Sequence, residues 1–79
     1  MPDVLNDVLN TAAGIFSVDV QSLNGISSPL DVDNWNSVQH LNLILALEVQ
    51  YAMQFEPEEI EGMRSLGDIA RIIELRLRA

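Results

Sequence analysis

The sequence has no cysteine and no lysine, one histidine, and only one Trp, one Tyr and two Phe. Without cysteine there is no disulfide, no thiolate-held zinc, no iron–sulfur cluster and no thiol nucleophile. Positive charge is scarce: four bases, all Arg, stand against twelve acids, giving a net charge of −8 and a pI near 4.1. Such a chain is repelled by nucleic-acid phosphates and anionic membrane surfaces, and its natural counterparts are basic protein patches. Long apolar runs are also missing. The longest, Leu43 to Leu47, is five residues, far short of a membrane span. Asp3 and Asp7 stand where a secretory leader carries Lys or Arg, which points to a cytoplasmic protein.

What remains is a chain of 79 residues, 48% of them hydrophobic. That is enough to bury a core, which excludes intrinsic disorder, and the length suits one domain spanning 1–79. Stability has to come from helix packing, and self-repulsion among the acids keeps it marginal.

The apolar period predicts four helices and no strand, an all-α four-helix bundle with a long first loop and a short third helix. Leu5, Val8, Leu9 and Ala12 mark one face of a helix over residues 3–14, with Pro2 at its start and Gly14 as its stop. Residues 17–36 carry turn chemistry in Asn24-Gly25, Ser27-Ser28-Pro29 and Asp33-Asn34. A loop this long needs pinning, for which Ile26, Leu30, Val32 and Trp35 are available. Residues 37–52 form the best helix, with Ser37 as N-cap. It has two stripes: Leu43, Leu47 and Tyr51 on one, Val38, Leu41 and Leu45 on the other, with Ile44 between. The second stripe suits a partner. Glu56 to Met63 reads as a short helix with Pro57 at its first position and Glu58, Glu59 and Glu61 on a solvated face. Ser65-Leu66-Gly67-Asp68 resembles a capping box opening a last helix whose apolar face is Leu66, Ile69, Ala70, Ile73 and Leu77.

Catalytic and metal chemistry find little support. His40 has no Cys or Lys to work with, and reads as a partly exposed helical residue. Asp31-Val32-Asp33 begins like a calcium loop, but Trp35, Asn36 and Asn42 occupy positions that calcium binding needs for a ligand, a glycine and a glutamate, so no metal site is expected. There is no phosphate-cradling glycine loop. A self-sufficient enzyme is not indicated.

One constellation carries a hypothesis. Trp35-Asn36-Ser37-Val38 lies where the long loop becomes the best helix. An anion attached to Ser37 sits at the positive end of the helix dipole. A serine there is also an ordinary cap, and local chemistry does not separate the two. The wider pattern resembles the acyl carrier protein family, in its free-standing, phosphopantetheine-binding form. Asn36-Ser37-Val38 replaces the family's Asp-Ser-Leu; Leu41-Asn42-Leu43-Ile44-Leu45-Ala46-Leu47-Glu48 replaces its apolar helix ending in Ala-Leu-Glu; Tyr51 and Phe55 take its following apolar positions. A short acidic helix and a last amphipathic one complete the match over nearly the whole chain.

The resemblance implies that Ser37 receives 4′-phosphopantetheine from coenzyme A through a phosphopantetheinyl transferase. The arm's thiol then carries an acyl group as a thioester for a fatty-acid, polyketide or other specialised pathway. A monomer is implied, with an acyl- or aminoacyl-loading enzyme and a downstream synthase or transferase as partners. Asn36, Val38, Leu41, Leu45 and Glu48 become the docking side. Cysteine and catalytic groups are unnecessary, because the thiol arrives with the arm and the partners supply the chemistry. Two departures stand out. Asn36 removes a charge before the serine, and the second helix holds a single acid, Glu48. The alternatives are an aminoacyl or peptidyl carrier, and an unmodified acidic helical adaptor, which Asn36 favours.

Overall fold

A computed structural model describes residues 3–78, in which the chain forms helices α1 (Val4–Phe16), α2 (Ser37–Tyr51), α3 (Pro57–Glu61) and α4 (Leu66–Arg78), and no strand. The all-α bundle read from the apolar period is the architecture found. Pro2 lies outside the described residues. α1 packs against both α2 and α4, so the core is the seam where these three helices meet. Val8, Ala12, Leu43, Leu47, Leu66, Ile69 and Ile73 are fully enclosed there.

α1 starts where Asp3 accepts the Asn6 N–H, at 3.1 Å, an N-cap satisfying one of the orphan donors of the first turn. It does not stop at Gly14. It runs two residues further and closes at Ser17, which adopts a left-handed φ of 57°. The reason is Phe16, buried at the helix end with its ring 5.1 Å from that of Trp35. Burying a Phe is worth about 1.5–3 kcal/mol, which exceeds the cost of about 1 kcal/mol for a glycine inside a helix.

The long loop is not structureless. It contains a 3-10 turn at Val20–Ser22, and Leu23, Val32 and Trp35 pin it by burial. Ile26 and Leu30, expected to help, are 82% and 96% exposed. In their place the loop is fastened by its backbone. The Ser27 carbonyl accepts the Leu66 N–H at 3.1 Å, and the Gly25 carbonyl accepts the Gly67 N–H at 2.8 Å. These are first-turn donors of α4 that have no partner within the helix. Ser27 itself is buried, its hydroxyl accepting the Asn24 N–H at 2.9 Å.

α2 buries Leu43, Ile44 and Leu47, so Ile44 belongs to the core stripe. Tyr51 is half-buried and donates its hydroxyl to Asp7 at 2.9 Å, while Thr11 donates to Gln50 at 2.9 Å, tying α1 to α2. At α3, the Glu59 carboxylate accepts the Glu56 N–H at 2.8 Å. Glu59 also pairs with Arg76 of α4 at 3.3 Å, and Arg76 donates to the Gln54 carbonyl. Glu59 is therefore not part of a solvated face; it anchors α3 to α4. Ser65 accepts the Asp68 N–H at 3.1 Å, the forward half of the expected box. Leu77, assigned to the apolar face of α4, is 48% exposed, one turn beyond Ile73, the last buried residue of that face.

Candidate functional site

The junction between the loop and α2 is held by side-chain amides. Asn34 donates to the Phe16 carbonyl at 2.7 Å and Gln39 to the Ile15 carbonyl at 3.1 Å. Both acceptors lie in the last turn of α1, where carbonyls have no helical partner. Between these ties Trp35 is buried against Phe16. Its indole N–H donates to Nδ1 of His40 at 2.9 Å, and the two rings lie edge to edge and nearly coplanar, with centroids 5.9 Å apart and planes 22° apart.

Asn36, not Ser37, caps α2. Its backbone is extended, with φ −105° and ψ −176°, and its side-chain oxygen accepts the Gln39 N–H at 2.9 Å. Ser37 is thereby the first helical residue and does not have to cap. Among the described residues no partner takes its hydroxyl, which faces solvent. Ser37 borders a half-open recess of about 380 Å³ lined also by Pro29, Trp35, Asn36, His40 and Met63. None of these residues carries a fixed charge, so nothing in the lining repels an anion placed beside the N-terminus of α2. Burial holds the half-buried His40 below its usual pKa, which keeps the imidazole neutral at pH 7.

From this corner an apolar stripe runs down the outside of α2. Val38, Leu41, Leu45 and Val49 are 69%, 55%, 51% and 83% exposed, although each has the side chain of a core residue. Among the described residues no three His, Cys, Asp or Glu side chains gather as metal ligands would. Asp31 instead accepts from the Ser28 N–H and hydroxyl, both at 3.2 Å. No helix among the described residues is long and apolar enough to cross a membrane.

No family model matches the chain. A curated acyl carrier protein from Acidothermus cellulolyticus is 28% identical over 64 residues, covering 81% of this chain and 73% of that protein. The solution structure of the holo acyl carrier protein from Geobacter metallireducens superposes with a TM-score of 0.86 at 32% identity, covering 99% of this chain and 88% of that one. The chain belongs to the acyl carrier protein family. Members of that family are carriers that work with partner enzymes, and are not enzymes themselves.

In this member of the family, Asn36 performs the capping that an Asp performs at such a position, because either side chain presents an oxygen to the third amide of the helix. What it lacks is charge. Of the residues expected to face a partner, Asn36, Val38, Leu41 and Leu45 are exposed, while Glu48 is half-buried. The Glu48 carboxylate is occupied by the Phe55 N–H at 2.9 Å, which fastens the segment after α2. The amides of Asn34 and Gln39, and the recess walls Pro29 and Met63, were not legible in the sequence. They come from separate segments and follow no period. The Trp35–His40 pair flanking Ser37 was likewise not legible, because five positions across a loop-to-helix junction is no helical neighbour spacing.

Proposed function

We propose that the protein carries acyl intermediates on 4′-phosphopantetheine attached to Ser37 and presents them to enzymes of a fatty-acid, polyketide or other specialised pathway. The observation that carries this reading is the exposed, unpartnered Ser37 hydroxyl at the first position of α2, beside an uncharged recess, in a chain that aligns along its length with a holo carrier. The residues fit the group. Free backbone N–H groups and the dipole at the start of α2 favour a phosphodiester there, and Trp35, Pro29 and Met63 offer apolar wall to the arm. When bound, the arm supplies a thiol that holds an acyl group as a thioester.

This chain does not activate Ser37 itself. His40 Nδ1 is occupied by the Trp35 N–H, and its other ring nitrogen, protonated in the neutral form, accepts no proton. A phosphopantetheinyl transferase therefore supplies the base that takes the Ser37 proton; the serine oxygen bonds to the pantetheine-side phosphorus of coenzyme A as the pyrophosphate bond breaks, and adenosine 3′,5′-bisphosphate leaves. Asn36, Val38, Leu41 and Leu45 are the docking side for that transferase, for the loading enzyme and for the downstream synthase. The carrier acts as a cytoplasmic monomer, one domain spanning residues 1–79. The test is intact mass after incubation with coenzyme A and several transferases. A gain of one phosphopantetheinyl group in the native protein and none in Ser37→Ala is expected. No gain with any transferase returns the chain to the unmodified adaptor.

A further inference from the structure

We propose that Trp35 holds His40 as the tautomer protonated on Nε2, so that this N–H donates to the phosphodiester formed at Ser37 and positions the attached arm along the recess. The proposal rests on Ser37 being the attachment site.

The tautomer follows from the donor inventory. An indole nitrogen only donates, and it lies 2.9 Å from His40 Nδ1. Nδ1 is therefore bare, and the single proton of the neutral imidazole is on Nε2. The near-coplanar, edge-to-edge arrangement of the two rings, 22° between planes, fixes the ring orientation as well. His40 follows Ser37 by three positions in α2, a spacing that brings Cβ atoms to about 5–6 Å on one helix face, and the two line the same recess. The other nitrogen donors of the lining are already engaged or double as part of a cap. The Trp35 N–H is given to His40, and Asn36 is held through its oxygen by Gln39. Pro29 and Met63 have no side-chain donor. His40 is thus a lining residue whose N–H is fixed in direction by a second residue, the free amide N–H groups of Asn36 being the other side-chain nitrogen donors of the lining. No charged side chain lines the recess to compete for it.

The protein has a single histidine and a single tryptophan, so imidazole resonances need no assignment by mutation. In the unmodified protein at neutral pH, nitrogen NMR should show Nδ1 unprotonated and Nε2 protonated, and Trp35→Phe should mix the two tautomers. After transfer of phosphopantetheine to Ser37, the nearby anion should raise the His40 pKa by roughly one unit, a tenfold gain in proton affinity. The phosphorus resonance should then titrate with the same midpoint, although a phosphodiester has no proton of its own to gain in that range. His40→Gln, which keeps an N–H donor, should retain the phosphorus shift without its pH dependence; His40→Leu should lose both. A proton on Nδ1 in the unmodified protein overturns the proposal. So does a phosphorus resonance indifferent to His40. Intact mass separates the two layers: no gain at Ser37 overturns the attachment reading and this one together, whereas a full gain with an unresponsive His40 overturns this one alone.

Discussion

Replacing Gly67 by Ala sets helix propensity against a close backbone approach. By propensity alone, Ala in place of Gly within a helix gains about 1 kcal/mol. Gly67 is the second residue of α4, and a Cβ there lies 2.6 Å from the Gly25 oxygen, 3.3 Å from its carbonyl carbon and 3.4 Å from its Cα. The obstacle is backbone and cannot swing aside. Relief requires the loop to lift, which lengthens the bonds from Gly67 to Gly25 and from Leu66 to Ser27, each worth about 0.5–1.5 kcal/mol. Overpacking of this kind costs about 1–3 kcal/mol net. For a domain this size that lowers the melting temperature by roughly 5–20 °C. Gly14 is the internal comparison: it lies within α1, exposed, and a Cβ added there meets no atom within 4 Å, so Gly14→Ala should melt about 4–8 °C higher. Thermal melting by helical circular dichroism reads both, and hydrogen exchange at the Leu66 and Gly67 amides reads the staple directly. A Gly67→Ala variant as stable as the native protein, with both amides still protected, would falsify the steric argument.

Leu47 is fully buried and Val38 is 69% exposed on the same helix; Leu47→Ala should cost about 2–5 kcal/mol in chemical denaturation, whereas Val38→Ala should change stability by less than about 0.5 kcal/mol yet slow acyl transfer to a partner enzyme. Asn36→Asp keeps the cap and adds a charge, so it should leave the fold intact and speed modification about tenfold if a transferase Arg engages it, since charge-assisted hydrogen bonds are worth about 1.5–3 kcal/mol; equal initial rates with several transferases would argue against that contact. Burial lowers the His40 pKa from 6.5, so the unfolded chain takes the proton more readily and the His40 contribution should be complete above pH 6.5 and lost as pH falls below it. Native and His40→Gln melting temperatures should therefore converge in mild acid, with a change in Trp35 emission; parallel curves would sink the assignment. Burial first, then the hydrogen bond and charge of Asp7, push Tyr51 up to about 12. Its contribution is complete below pH 10 and should fall away as pH rises toward 12, and Tyr51→Phe should remove that alkaline loss.

Local sequence determined the helices and their inward faces, because apolar spacing follows from helix geometry and needs no knowledge of the partner element. Leu43, Leu47, Leu66, Ile69 and Ile73 were legible as core for that reason, and Val38, Leu41 and Leu45 as a second stripe. Ser37 was legible through its place at a loop-to-helix junction and through the residues around it. Tertiary structure decided what depends on meetings between distant segments. Gly14 gave a local stop signal, overruled by Phe16 packing on Trp35. Ser37 and Asn36 are both good caps by residue type, and backbone conformation gave the task to Asn36, which left the Ser37 hydroxyl free. Glu59 and Glu48 read as surface acids, yet Arg76 and the Phe55 amide reach them from other segments. Ile26 and Leu30 read as pins, but the loop is held by two backbone carbonyls that no side-chain pattern encodes. Propensity and period act over a few residues, whereas a hydrogen bond between Trp35 and His40, or between Gly25 and Gly67, exists only once the helices have packed and brought its partners within 3 Å.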